Sequence, residues 1–481
     1  MSRSPALTLV ASTTGAVLVA LDGTVLTVAQ PTLRRELHAS FAQVQWTSTG
    51  YLIAVAGLLV LAGRLGDRLG HRRTFALGTL GFGAASAGIG LAPGIGWVIA
   101  LRIVQGVFGA LLQPATLGML RAAYPPDRLA GPIAIRTSAI GVSAAVGPVL
   151  GGALVTAFGW RAVFALNVLP ALVVGVLALA HRPQDDAARP DAAPVRLDPL
   201  GAALLGTALV CLVHTLVGLP DSGWTVSAAL GAGAAAALSA GFVRHQRRTA
   251  NPLVPLDLVR SPAVAGSLGV LVAASASLFG TLFLTGYFLQ EVLALDPLAA
   301  GLRALPLPVA MVFAAPAAAR LQRRYGPRRT VATATALLVA GILVLSRLGP
   351  TSGELASGTG FLLLGAGFGT VMVTATAVIV QRAAAAHAGV AGGLQQTAMN
   401  IGPALGVAVA TTAAGLAAGG AHPDGPAFGA AIGPALPVLA LAAAAGTVFA
   451  LALPRHAGPP EPGTAPGGEP CPAVGRPGAG R

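Results

Sequence analysis

The chain has 481 residues, of which 54% are hydrophobic and only 10% charged, and its mean hydropathy is +0.76. Such a composition excludes a soluble globular domain and describes a polytopic membrane protein. All 30 basic residues are arginines and the formal net charge is +14, but the arginines fall between apolar runs, where membrane topology accounts for them without a nucleic-acid partner.

Apolar runs between polar punctuation predict fourteen helices, over about 6–29, 43–63, 74–92, 97–120, 131–157, 160–180, 199–219, 223–243, 263–290, 299–319, 328–348, 355–380, 388–417 and 428–453. No small-residue cleavage site follows the first run, which is read as a retained helix. It carries Asp22 alone among uncharged residues from Pro5 to Leu33. A charge near the centre of a spanning helix costs about 2.5–3.5 kcal/mol, so such a carboxylate marks a functional site by default; the other reading is an acid satisfied by Thr24 or a neighbouring helix. After the second run comes GRLGDRLGHRRTF, in which Gly63, Gly66 and Gly70 allow tight turns or close approach. Asp67 can favour a helix amino terminus there, while Arg68, Arg72 and Arg73 stay at the surface. The fourth run places Arg102 at about the depth of Asp22, the one acid available to it at that depth, so the two are expected to face each other. The fifth holds Gly141, Gly147, Pro148, Gly151 and Gly152: small residues four apart that permit close helix contact, with a proline that weakens the backbone ladder. From Pro454 the chain is Pro- and Gly-rich and reads as a disordered tail. Cys211 and Cys471 suggest neither a disulfide nor a metal site.

An even number of spans puts both termini on one side. With the termini inside, twenty-four arginines are cytoplasmic, Arg136 among them, and five (Arg34, Arg35, Arg161, Arg303, Arg347) lie outside, which fixes the orientation; Arg102 is the thirtieth. An internal repeat is also present: RLGDRLGHRR from Arg64 returns as RLQRRYGPRR from Arg320, and Gly147, Pro148, Gly151 return as Gly402, Pro403, Gly406. It pairs spans 1–6 with spans 9–14. The expected domains are an amino-terminal six-helix half at 1–180, a linker with two inserted helices at 181–262, a carboxy-terminal half at 263–453 and a tail at 454–481.

The loop from Gly63 resembles the signature loop of the major facilitator superfamily, although its second copy has Arg323 in place of the acid. Arg102, Gln105 and Gly106 resemble the family's fourth-helix motif, with Phe108 where a glycine is more usual, and GVSAAVGPVLGG is similar to the fifth-helix motif of its antiporters. LDGTVLTVAQP, GWRAVFALNVLP, DPLAAGLRALPLP and GVAGGLQQTAMNIGPALG extend the likeness to the fourteen-spanning drug:proton antiporters over nearly the whole chain to about residue 453. The resemblance implies an all-α polytopic membrane protein of the major facilitator fold, with two six-helix halves and two inserted helices. It implies proton coupling at Asp22 and Arg102, a cytoplasmic gating loop with an ion pair to Asp67, and alternating-access efflux of drugs or other small amphipathic compounds across the cytoplasmic membrane, both termini cytoplasmic. Candidates for the substrate pocket are Gln105, Gln113, Asn167, Phe279, Phe283, Tyr287, Gln395, Gln396 and Asn400, each of which can equally be core. With Asp22 the one deep carboxylate, a neutral or singly charged substrate is expected. No cofactor or metal is expected, the proton gradient supplying the energy, and the partners are substrate, protons and lipid; oligomeric state stays open. A dedicated exporter of one metabolite or antibiotic remains an alternative, as does a non-transporting receptor or enzyme. Against an enzyme stand the missing metal and nucleophile constellations, and the absence of lysine removes the phosphate-binding loop of an ATP-driven pump.

Overall fold

The computed structural model describes residues 5–39, 41–180, 198–222, 225–249, 252–295, 297–349, 354–383, 387–417 and 426–454. Residues 455–481 of the expected tail and 181–197 of the expected linker fall outside these. Every regular element among the described residues is helical. The long ones are α1 (Pro5–Glu36), α2 (Phe41–Leu69), α3 (His71–Gly90), α4 (Ile95–Ala123), α5 (Ala130–Phe158), α6 (Arg161–Ala180), α7 (Pro199–Ser222), α8 (Val226–Gln246), α10 (Pro262–Tyr287), α12 (Pro306–Leu345), α13 (Glu354–Arg382), α14 (Ala388–Ala417) and α15 (Pro426–Ala450); α9 (Leu256–Arg260) and α11 (Pro297–Ala304) are short. A bilayer forces this outcome, because a helix satisfies every backbone polar group within its own segment.

Eleven of the described helices are long and apolar enough to cross a membrane, and a twelfth is α5, bent by 45° between Gly147 and Val149. The expectation was fourteen, and the difference has two sources. The stretch 299–345 counts once although it turns sharply at Gly326, and α3, glycine-rich with a basic start, is not among the eleven.

Both copies of the repeated basic motif turn the chain in the same way. Gly70, between α2 and α3, has φ +91°, and Gly326, inside α12, has φ +79°. Residues with a Cβ avoid this left-handed region at a cost of roughly 1–2 kcal/mol, so glycine is required at each turn. Four residues on, the hydroxyl of Thr74 donates to the Gly70 carbonyl (3.1 Å) and that of Thr330 to the Gly326 carbonyl (2.9 Å). The small-residue motifs repeat too. In α5, Gly147 abuts Thr24 and Gly151 abuts Val25 of α1; in α14, Gly402 abuts Ser275 and Gly406 abuts Ala276 of α10.

Helices α1 to α6 pack on one another, as do α10 and α12 to α15. The two groups meet where α14 crosses α2 and α4 and where α5 lies along α12 and α13. The pair α7 and α8 stands outside, touching α2 and α14 through α7, with Trp46 of α2 and His214 of α7 at 6.1 Å between ring centroids.

That pair is closed at one end by a buried carboxylate. Asp198 accepts from the Gly201 amide (2.8 Å), His245 Nε2 (2.9 Å) and Gln246 Nε2 (2.7 Å), while Gln246 Oε1 accepts from the Val254 amide (3.2 Å). The start of α7, the end of α8 and the chain leading to α10 are thereby held together. Burial pushes the Asp198 carboxyl up, but the bonds from Gly201, His245 and Gln246 outweigh it and hold the group below its ordinary value. A depressed folded-state pKa gives stability that is present above the unfolded value of about 3.9 and lost as pH falls through the folded one. Asp198→Asn is therefore expected to lower the melting temperature in detergent at neutral pH, by the equivalent of about 1–3 kcal/mol, with the gap from wild type narrowing as pH falls below the ordinary carboxylate range. Thermal scans of both proteins across that range check it.

Candidate functional site

Five helices converge on Asp22. Its Oδ2 accepts from Arg102 Nη1 at 2.6 Å, and its Oδ1 accepts from Gln105 Nε2 at 3.1 Å and from Asn167 Nδ2 at 2.8 Å. Arg102 also donates from Nε to the Thr47 carbonyl (2.9 Å) and from Nη1 to Gln105 Oε1 (2.6 Å), and its guanidinium lies 4.4 Å from the centroid of the Tyr51 ring. Gln105 donates further to Ser86 Oγ at 2.8 Å. These residues come from α1, α2, α3, α4 and α6, and every one is buried: Asp22 is 2% exposed, Arg102 1% and Gln105 0%. Three donors aimed at one carboxylate suit its ionised form, which accepts only.

Sequence pattern explains how the helices come this close. On α4, a Cβ at Gly106 would lie 2.7 Å from the Tyr51 carbonyl and one at Gly109 would lie 2.9 Å from its hydroxyl, so the glycines admit α2 and set Tyr51 beside Arg102. On the other side of α1, Gly147 and Gly151 of α5 seat against Thr24 and Val25, directly after Asp22. Gly141 of the same helix faces Pro308 and Met311 of α12. The glycine motif of α5 therefore links the helix bearing the acid to the other helical group. Gly152 is half-buried and offers its carbonyl to Thr156, while the side chain of Pro148 is outside the described residues.

The pocket expectations divide. Gln105 and Asn167 both donate to Asp22, and Asn167 Oδ1 has no partner among the described residues. Gln113 of α4 and Gln396 of α14 hydrogen-bond to each other across the two helical groups, and Asn400 donates to the Gln396 carbonyl at 2.8 Å. Gln395 is fully buried, and neither of its amide atoms has a partner among the described residues. Phe279 and Phe283 are exposed on α10, whereas Tyr287 packs against the apolar core of α10, α12 and α13. Sequence reasoning missed Thr47, Tyr51 and Ser86. A glycine pair at 106 and 109 facing a lone tyrosine in an apolar run was the available signal for Tyr51; Thr47, bound through its carbonyl, left none.

The basic end of the bundle is shut. Asp67, at the end of α2, accepts from the amides of Gly389 (2.7 Å) and Val390 (3.2 Å), the free N–H groups at the start of α14, with His71 Nε2 3.4 Å away. Besides lying within ion-pair distance of His71, the carboxylate caps a helix of the other group, whose positive dipole end favours it. Gly63 lies directly on Gly389, leaving no room for a side chain, and a Cβ at Gly66 would lie 2.8 Å from His71 Nδ1. Buried Arg64 reaches His387 Nδ1 (3.3 Å) and the Pro252 carbonyl (3.3 Å), and Arg121 donates to the Val380 carbonyl (3.1 Å). Arg68 and Arg73 stay exposed, and Arg72 is half-buried.

A repeated six-helix arrangement, glycine turns at matched basic motifs and a buried ion pair on α1 and α4 define a transporter scaffold, and the family model of the Major Facilitator Superfamily matches residues 13–407. The chain belongs to the major facilitator superfamily. Among its relatives in that superfamily are the tetracenomycin C resistance and export protein of Streptomyces glaucescens, 41% identical over 87% of this chain and 77% of that one, and the puromycin resistance protein of Streptomyces alboniger, 34% identical over 82% and 79%. The multidrug efflux pump LfrA of Mycolicibacterium smegmatis is 31% identical over 82% of this chain and 78% of its own. The fold is shared with the crystal structure of the human organic anion transporter MFSD10, at a TM-score of 0.68 and 16% identity, covering 93% of this chain and all of that one.

Removing the charge of Asp67 weakens its hold on α14. Asp67→Asn is expected to lose charge-assisted bonds worth about 1.5–3 kcal/mol and to raise thiol labelling of a cysteine placed at Ala388, in a background without Cys211 and Cys471, by roughly tenfold or more. Unchanged labelling would remove Asp67 from the latch.

Proposed function

We propose that this protein exports small amphipathic compounds from the cytoplasm in exchange for protons, by alternating access across the cytoplasmic membrane, with the arginine-rich end and both termini on the cytoplasmic side. The observation that carries the reading is the ion pair of Asp22 with Arg102, sealed among five helices and joined by α5 to the opposite helical group. Protonation of Asp22 cancels one charge of the pair and frees the donors of Gln105 and Asn167, so proton binding and helix packing are one event. The buried Tyr51 hydroxyl and Asn167 Oδ1 have no partner among the described residues, which leaves the cluster polar capacity for a water that carries the proton. No further cofactor is needed in this scheme. At about 100 mV one charge crossing the membrane supplies ~2.3 kcal/mol, enough to sustain on the order of fifty-fold accumulation of a neutral substrate per proton.

The relatives divide between proteins named for a single antibiotic and pumps named for many drugs, and a dedicated exporter of one compound stands as the second reading on the strength of the 41% match to a single-antibiotic export protein. Substrate range separates the two. In proteoliposomes with an imposed pH gradient, substrate-triggered proton release should be present in the wild type and fall to background in Asp22→Asn, which leaves Arg102 buried without its counter-charge. Efflux at the wild-type rate in that variant would sink the coupling assignment.

A further inference from the structure

Arg136 counts among the cytoplasmic arginines and falls within the predicted fifth helix. It lies in the second turn of α5 and is 2% exposed, beside Thr137 at 1%. Its Nε has no hydrogen-bond partner, and the guanidinium makes no ion pair or hydrogen bond among the described residues. Of the carboxylates whose side chains are described, none pairs with Arg136: Asp22 meets Arg102, Glu36 Arg161, Asp67 the start of α14, Asp198 His245 and Glu354 Arg303, while Asp127 is exposed beside Arg128. A buried cation left unpaired is strongly unfavourable, so proteins rarely retain one without a counter-ion.

Arg136 stands next to the seam between the two helical groups. Ile133 and Ala134, three and two residues back on α5, belong to an apolar cluster with Leu117 and Leu120 of α4, Ala315 and Ala318 of α12, and Val373 and Ala377 of α13. This cluster plugs the junction between the two helical groups near the latched end. Buried polar groups adjoin it on the facing helices: the hydroxyls of Thr374 and Thr376 on α13 have no partner among the described residues, and Gln113, one turn from Leu117, holds Gln396. Parting α5 from α12 and α13 would open the plug and bring Arg136 to the solvent of the basic end.

We propose that Arg136 is a substrate-recognition residue that pairs with a carboxylate or phenolate, making amphipathic organic anions the preferred cargo; the proposal rests on the export reading above and names its substrate class. The device sets the direction of capture. An empty transporter closes its basic end over an unpaired guanidinium, whereas one loaded with an anion closes over a neutralised pair, so the anion itself favours closure and passage onward.

Binding of a matched fluorescent pair tests this on the purified full-length protein in nanodiscs, with anthracene-9-carboxylate as the anion and 9-anthracenemethanol as the neutral probe. Wild type should bind the carboxylate about tenfold or more tightly than the alcohol, as expected for a charge-assisted bond in a buried site. Arg136→Met should abolish that preference while leaving alcohol binding unchanged, and Arg136→Lys should keep part of it. The melting temperature of unliganded Arg136→Met should match or exceed that of wild type, because an unpaired buried charge has been removed. Absent or equal binding of the carboxylate by wild type, or a preference that survives Arg136→Met, overturns the proposal. Probe binding needs no proton gradient, so a failure here is distinct from persistent proton-coupled efflux in Asp22→Asn, which would count against the export reading instead.

Discussion

The pairing of Asp22 with Arg102 is the interaction on which the arrangement of the first six helices depends. Two opposite charges withdrawn from water must find each other and must have their remaining lone pairs and protons satisfied, or the burial penalty of several kcal/mol per ion is not recovered. Here that demand recruits the Thr47 carbonyl, the face of Tyr51, both ends of the Gln105 amide and the Asn167 amide, so one ion pair dictates how α1, α2, α4 and α6 sit, with α3 added through Ser86. Any change in the charge of Asp22 is consequently felt by five helices at once.

Glycine supplies the other half of the design. In lipid, helices gain little from burying apolar surface against one another, so close backbone approach must supply the attraction. The same solution appears twice: α5 on α1 through Gly147 and Gly151, and α14 on α10 through Gly402 and Gly406. The two halves of the repeat thus share a packing rule while differing in chemistry. Ala273 occupies the place in α10 that Asp22 holds in α1 when the paired contacts are aligned, and Arg323 replaces the acid of the basic motif. At these matched positions the acids fall in the first copy alone.

The latch at the basic end shows why that asymmetry matters. Asp67 reaches across to the amides that begin α14, and the apolar plug beneath it is assembled from α4, α5, α12 and α13. A carboxylate on a helix terminus is a reversible fastening: it is stabilising when the groups meet and readily replaced by water when they part. Such a contact suits a protein that must close and reopen.

The sequence by itself determined a great deal. Composition and apolar run lengths set the membrane class and the helix positions to within a few residues, since a bilayer of fixed thickness admits few alternatives. The solitary Asp22 and Arg102 announced their meeting because only one partner of opposite sign stood at the right depth. The repeated basic motif announced its turns, because glycine in that setting has few other reasons. What the tertiary structure alone decided is where the uncharged polar groups go. Gln105, Asn167, Gln113 and Gln396 all read as pocket candidates, yet the first two serve Asp22 and the last two bind each other. Arg136, which the sequence places only on the cytoplasmic side, is buried, and Asp67 finds a helix end. A neutral amide carries no sign that restricts its partner, a helix end shows its charge in no residue of the sequence, and helix rotation, invisible to hydropathy, settles which face each residue presents; only the packed bundle fixes it.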